Sequence, residues 1–127
     1  MTHLDTSALI GALCRTGRHE GTLRQIVEAG ERTQISTPVL YEWLRGPRTS
    51  EEIAAQRALF PDETAVGFGP AEATLAAELY RSLRRPRTRA TDLAVAACAL
   101  VQGATLWTLN PQDFADVPGL SLHRERR

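Results

Sequence analysis

Short apolar runs alternate along this chain with longer stretches in which apolar residues recur at every third or fourth position. The first pattern fits buried strands and the second fits helices with one face on a core. Met1 to Leu4 reads as a short first strand ended by Asp5. Thr6 or Ser7 can cap a helix that continues to about Arg15, where Gly17 stops it. A second helix, about His19 to Ala29, carries Leu23, Ile26 and Val27 at helical spacing and ends at Gly30. Gln34 to Ser36 is a brief second strand, and Thr37-Pro38 then starts a helix, with Thr as cap and Pro at its first position. That helix carries Glu42 in its second turn and stops at Gly46-Pro47.

The rest of the chain repeats the alternation. A helix spans about Ser50 to Leu59, and Ala65 to Phe68 is a weak third strand ended by Gly69-Pro70. A long helix from about Pro70 to Leu83 aligns Leu75, Leu79 and Leu83 on one face, and the Arg/Pro segment from Arg84 to Thr88 breaks it. Ala90 to Gln102 is a helix nearly devoid of polar residues after Asp92, so it is expected to be buried on several sides. Gly103 caps it, Thr105 to Thr108 forms a buried strand, and Leu120 to Leu122 offers an edge strand. Strands separated by helices predict an α/β fold, a three-layer α/β/α arrangement around a mostly parallel sheet of four to five strands. With no internal repeat or linker, residues 1–127 are expected to form one domain. In such folds ligands bind beyond the C-terminal ends of the strands.

Composition narrows the chemistry. A hydrophobic share of 43% is ordinary for a folded domain, and no apolar run reaches the roughly 18 residues of a membrane span. No basic-then-apolar leader is seen at the N-terminus, so a cytoplasmic protein is expected, with no membrane partner. Cys14 and Cys98 have no second ligand at zinc spacing and read as buried or half-buried thiols. The chain contains no lysine, which excludes a P-loop, a protein kinase and a Schiff-base enzyme. A receiver-type phosphoacceptor is excluded too, since it needs a late Lys and an acidic pair near its first strand. Net charge is zero, but arginines cluster at Arg81, Arg84, Arg85, Arg87 and Arg89, and again at Arg124, Arg126 and Arg127. Such clusters hold phosphates by bidentate hydrogen bonds, although a charge run is most often a solvated face.

Four acids stand where this fold would turn a carboxylate toward one pocket. Asp5 follows the first strand directly, Glu42 lies among Val39, Leu40, Tyr41, Trp43 and Leu44, Asp92 opens the Ala-rich helix, and Asp113 follows the last buried strand. Each has a plain structural reading: Asp5 and Asp92 as helix caps, Glu42 paired to Arg45, and Asp113 or Asn110 as a loop residue. Brought together, four carboxylates need a compensating cation, and oxygen-only ligands suit Mg²⁺ or Mn²⁺.

The runs His-Leu-Asp-Thr-Ser-Ala-Leu-Ile, Thr-Pro-Val-Leu-Tyr-Glu, Thr-Asp-Leu-Ala-Val-Ala-Ala and Thr-Leu-Asn-Pro-Gln-Asp-Phe, in that order, resemble a PIN domain. More narrowly they resemble the VapC ribonuclease toxins of bacterial toxin–antitoxin pairs, from residue 3 to about residue 122. The resemblance implies an acidic pocket for Mg²⁺ or Mn²⁺ and endonucleolytic cleavage of tRNA or ribosomal RNA. It also implies a VapB-like antitoxin and a homodimer. Asp5, Glu42 and Asp92 match its three most regular acids, and Asp113 is the better match for the fourth, with Asn110 a neutral alternative. Thr6 or Ser7, and Thr108, match hydroxyls lining the pocket, while Arg85, Arg87 and Arg89 would hold the RNA backbone. Two other readings remain open: a PIN nuclease of RNA processing outside toxin–antitoxin systems, and a PIN-like scaffold that binds RNA or protein without cutting. All four acids are present, which disfavours the scaffold.

Overall fold

The computed structural model describes residues 1–15 and 17–124; Arg126 and Arg127 of the C-terminal arginine group lie outside the described residues. Among these residues three strands form one parallel sheet: β1 (Thr2–Leu4) is central, with β2 (Thr33–Gln34) on one side and β3 (Thr105–Trp107) on the other. Among the described residues six α-helices complete the order: α1 (Thr6–Leu13), α2 (Glu20–Glu28), α3 (Thr37–Arg45), α4 (Ser50–Leu59), α5 (Pro70–Ser82) and α6 (Ala90–Val101).

The parallel α/β fold is as expected, but the sheet is narrower. The third and fifth expected strands shrink to single parallel bridges, Ser36 to Val66 and Leu106 to Leu122. Gly67 and Gly69 flank Phe68 on one edge, and Pro118-Gly119 precede the other, so neither segment has the uninterrupted β-formers a longer ladder needs. With these bridges included, the chain moves outward from β1 through β2 to Val66, then crosses to β3 and Leu122 on the other side. The crossover makes the C-terminal edge of β1 and β3 the switch point of the sheet, where a crevice forms.

α6 is the most buried helix face. Leu93, Val95, Ala96, Ala97, Cys98 and Ala99 are all buried, and α6 packs on α5, α3 and β3. Its small residues let neighbours approach closely, and Gly103 (φ +64) turns the chain at its end into β3. Gly11 serves a similar purpose in α1, because a Cβ there would lie 2.8 Å from Leu109 Cδ1 in the segment after β3. Leu4, Leu9, Leu93, Leu106 and Trp107 are sealed in the core. Full burial of a Leu contributes about 1.5–3 kcal/mol, so truncating any of them would loosen the sheet edge that carries the crevice.

Several local expectations change. Val27 is 52% exposed while Leu23 and Ile26 are buried, so the inner stripe of α2 is narrower than the spacing suggested. Ser36 rather than Thr37 occupies the cap position of α3, and the Thr37 hydroxyl instead accepts from the Phe68 N–H at 3.1 Å. Thr49 closes a full capping box with Glu52 at the start of α4. The break after α5 is a 3-10 turn, Pro86–Arg89, preceded by Arg85 in left-handed backbone at φ 52. That conformation costs a residue with a Cβ about 1–2 kcal/mol, so packing around the turn must hold it.

Candidate active site

Asp5, rather than Thr6 or Ser7, is the N-cap of α1. Its Oδ1 accepts from the Thr6 N–H at 2.6 Å. Its Oδ2 accepts from the Thr108 hydroxyl at 2.6 Å and from the Ser7 hydroxyl at 3.1 Å. The capping role does not exclude a ligand role, because each carboxylate oxygen offers more than one lone-pair direction. Asp5 is buried, and β1 is tied to β3 by the bond from its N–H to the Trp107 carbonyl at 2.9 Å. Burial pushes the Asp5 carboxyl up, the three donors pull it back down, and the Glu42 charge adds to the rise.

The hydroxyls form a second layer linking the two strand ends. Ser7 Oγ and Thr108 Oγ1 lie 3.2 Å apart. The Leu109 N–H donates to Ser7 Oγ at 2.9 Å, and the Asn110 N–H donates to Thr108 Oγ1 at 3.0 Å. Thr108 thus orients Asp5 while fixing the start of the segment that leads to Asp113. Thr6 serves another acid, donating to Glu42 Oε1 at 2.7 Å. Glu42 comes in from α3, with Arg45 Nη2 at 3.6 Å from Oε2. The expected Arg45 pairing is therefore present but loose, and Arg45 also lies over the Tyr41 ring, 5.1 Å from its centroid.

Asp92 stands in the first turn of α6, where the helix dipole favours a negative charge. Its carboxyl is nevertheless pushed up to about 6. Burial is the largest cause, followed by the charges of Asp5, Asp113 and Glu42, with Arg89 opposing them. The charges of the other three expected acids thus all reach Asp92. Asp113 ends the 3-10 turn Pro111–Asp113 and is exposed; Asn110 precedes that turn, holding it through its backbone carbonyl, which accepts from the Asp113 N–H at 3.0 Å. Asp113, not Asn110, contributes charge at Asp92. Among the described residues, no three Asp, Glu, His or Cys side chains close into a ready-made metal cage.

The arginines divide. Arg85 and Arg87 are exposed. Arg89, expected on the RNA backbone, is instead bound to Asp116 at 2.6 and 2.9 Å and to the Asp113 carbonyl at 2.9 Å. An arginine whose two Nη groups already hold protein acceptors has no free Nη pair for a phosphate. Asp116 was not anticipated: nothing in the run Phe114-Ala115-Asp116 distinguishes it from a surface loop residue.

A donor set of carboxylates and hydroxyls fits a hard divalent cation better than any soft metal. The comparisons with known proteins agree with the fold. The family model described as PIN domain matches residues 3–120. No curated protein sequence matches this chain. Among solved structures, a chain of VapBC2 from Rickettsia felis bound to a DNA fragment from its promoter superposes with a TM-score of 0.77 at 20% identity, covering 98% of each chain. DNA-bound VapBC from Salmonella typhimurium gives 0.77 at 20% identity over 96% of each. A toxin–antitoxin complex from Klebsiella pneumoniae gives 0.73 at 25% identity, covering 99% of this chain and 100% of that one.

Proposed function

The chain belongs to the PIN-domain family, and on that premise we propose that it is a VapC-like toxin, a divalent-metal-dependent endoribonuclease. Its substrate would be tRNA or ribosomal RNA, cut by attack of water on a phosphodiester. The observation that carries this reading is the hydroxyl network that orients Asp5 and Glu42 beside Asp92, whose carboxyl burial and the neighbouring acids push up to about 6. Perturbed carboxylates held close together are typical of catalytic centres, and these four acids outnumber the nearby Arg45 and Arg89. Asp5, Asp92, Glu42 and Asp113 would hold Mg²⁺ or Mn²⁺. When bound, such an ion neutralises charge on the phosphodiester and makes a neighbouring water more acidic.

The chain's own residues prepare that site. Thr108 and Ser7 fix the rotamer of Asp5, and Thr6 fixes Glu42, so two of the acids are oriented before any ligand arrives. Asp92 supplies a carboxylate that is costly to ionise alone and is therefore receptive to a cation. Exposed Arg85 and Arg87 lie beside the turn into α6, where they can meet backbone phosphates of an RNA strand. The similarity to toxin–antitoxin complexes over nearly the full chain supports a VapB-like antitoxin partner. We take the toxin to act in the cytoplasm and as a homodimer. Among the described residues, no helix is long and apolar enough to cross a membrane.

The test compares wild type with Asp5→Asn, each expressed in cells and each purified. Wild type should arrest growth and cut RNA with Mg²⁺ or Mn²⁺, and lose cutting in chelator. Asp5→Asn should lose at least about 10²-fold in cleavage, more than is typical for a residue that merely supports a ligand. Equal toxicity of the two proteins would overturn the assignment of Asp5. Cutting of DNA in preference to RNA would overturn the substrate class.

A further inference from the structure

Arg89 joins three separate pieces of chain. Its side chain is only 14% exposed. Nη1 donates to Asp116 Oδ2 at 2.9 Å and to the Arg84 carbonyl at 3.2 Å. Nη2 donates to Asp116 Oδ1 at 2.6 Å and to the Asp113 carbonyl at 2.9 Å. The acceptors come from the connection after α5 and from the segment after β3, while Arg89 itself leads into α6, three residues before Asp92.

The choice of acceptor on Asp113 matters most. Arg89 holds that residue by its backbone carbonyl, and among the described residues no hydrogen bond engages its carboxylate. The carboxylates of Asp113 and Asp92 repel each other, and Asp113 is exposed, so nothing in their own interaction would keep the turn close to α6. A planar guanidinium satisfies a bidentate carboxylate and a carbonyl together, which a lysine ammonium, a point charge on a flexible stem, cannot reproduce.

We propose that Arg89, locked by Asp116, is a positioning residue that holds the Asp113 backbone against the start of α6 and leaves the Asp113 carboxylate uncommitted beside Asp92. The inference rests on the reading of these acids as a metal site, and it adds the device that sets the softest member in place. It also accounts for why this arginine, alone of the group before α6, faces protein rather than solvent.

The experiment is a titration of Mn²⁺ into chelator-treated protein for wild type, Arg89→Lys, Asp113→Asn and the double variant, with circular dichroism on each metal-free protein. Each single change should weaken Mn²⁺ binding roughly tenfold or more, the usual range for groups that orient ligands. The double variant should bind no more weakly than Asp113→Asn alone, because a clamp that works through Asp113 has nothing left to position. A general structural role would instead give losses that multiply. If Arg89→Lys does not fold, Asp116→Asn, which loosens the fork while keeping one acceptor, takes its place in the same cycle. Unchanged affinity in the clamp variant, or multiplicative losses, would overturn the inference. Asp5→Asn run alongside separates the two readings: if it also retains full Mn²⁺ affinity, the metal site itself is wrong, and if it alone loses affinity, only the clamp is.

Discussion

The two halves of the acidic cluster are built on opposite principles. On the strand side, Asp5 receives hydrogen bonds from Thr6, Ser7 and Thr108, and Glu42 receives one from Thr6. On the helix side, Asp92 is ringed by like charges, and Asp113 is placed through its backbone. The first half is a preorganised scaffold whose geometry exists without a ligand. The second is a set of charges held near one another at an energetic cost. A site needs both: donors that fix where the oxygens point, and unrelieved charge that makes cation binding favourable.

The sharpest way to break this comparison is Asp92→Asn. Cleavage should fall by at least about 10²-fold, since one of the proposed ligands is lost. Stability of the metal-free protein should move the other way. The folded protein holds the Asp92 proton more tightly than the unfolded chain does, so ionising it between the ordinary value of 3.8 and about 6 costs stability. The metal-free protein therefore loses stability as pH rises through that window and regains it as pH falls. Asn at 92 removes this cost, so thermal melting in chelator at pH 7 should shift upward and its dependence on pH between about 4 and 6 should flatten. In wild type, Mn²⁺ affinity should weaken as pH drops below about 6, because the protonated carboxyl is a poor ligand. A lower melting temperature for Asp92→Asn at pH 7 would show that Asp92 stabilises the fold, and the contrast between the halves would fail.

A smaller effect tests the strand side. Thr108→Val keeps the size of a buried residue but removes the donor to Asp5 and the acceptor for the Asn110 N–H. Loss of these bonds should cost about 1–2 kcal/mol and lower the melting temperature by a few degrees. Cleavage should drop roughly tenfold through disorder of Asp5, with the requirement for metal retained. Here stability and activity fall together, the reverse of Asp92→Asn. Calorimetry on both variants at pH 7 decides it; equal signs for the two stability changes would merge the halves into one.

The same contrast explains what the sequence made legible. Elements whose ends are marked by strong local chemistry are placed almost to the residue: Pro70 opens α5, Gly103 follows the end of α6, and Ser50 opens α4. The four acids could be picked out because each follows a strand or sits in a helix that such punctuation had already located. What stayed hidden depends on contacts between distant segments. Asp5 rather than Thr6 caps α1 because Thr6 turns to Glu42, 36 residues away, and Ser7 turns to Thr108, 101 residues away. Arg89 reads like its neighbours Arg85 and Arg87 until Asp116, 27 residues on, is seen to hold it. The outer strands shorten to bridges because a local apolar run states only what a segment prefers, and sheet edges leave that preference weakly enforced.

The smallest expected effect separates the arginines that the sequence grouped together. Arg87 is exposed and belongs to neither half of the acidic cluster, so Arg87→Gln should leave Mn²⁺ affinity and melting temperature unchanged. If it meets a phosphate, RNA should bind a few-fold more weakly, and the slope of log affinity against log salt should shrink by about 0.7 for a single-stranded substrate. Arg89→Lys should do the opposite, weakening Mn²⁺ binding with little change in the salt slope, because its charge is already engaged by Asp116. RNA binding measured across a salt series for both variants would expose a failure at once. If Arg87→Gln left the slope unchanged while Arg89→Lys lowered it, the substrate would be held by the clamp itself, and the boundary between site-building and substrate-binding arginines would have to be redrawn.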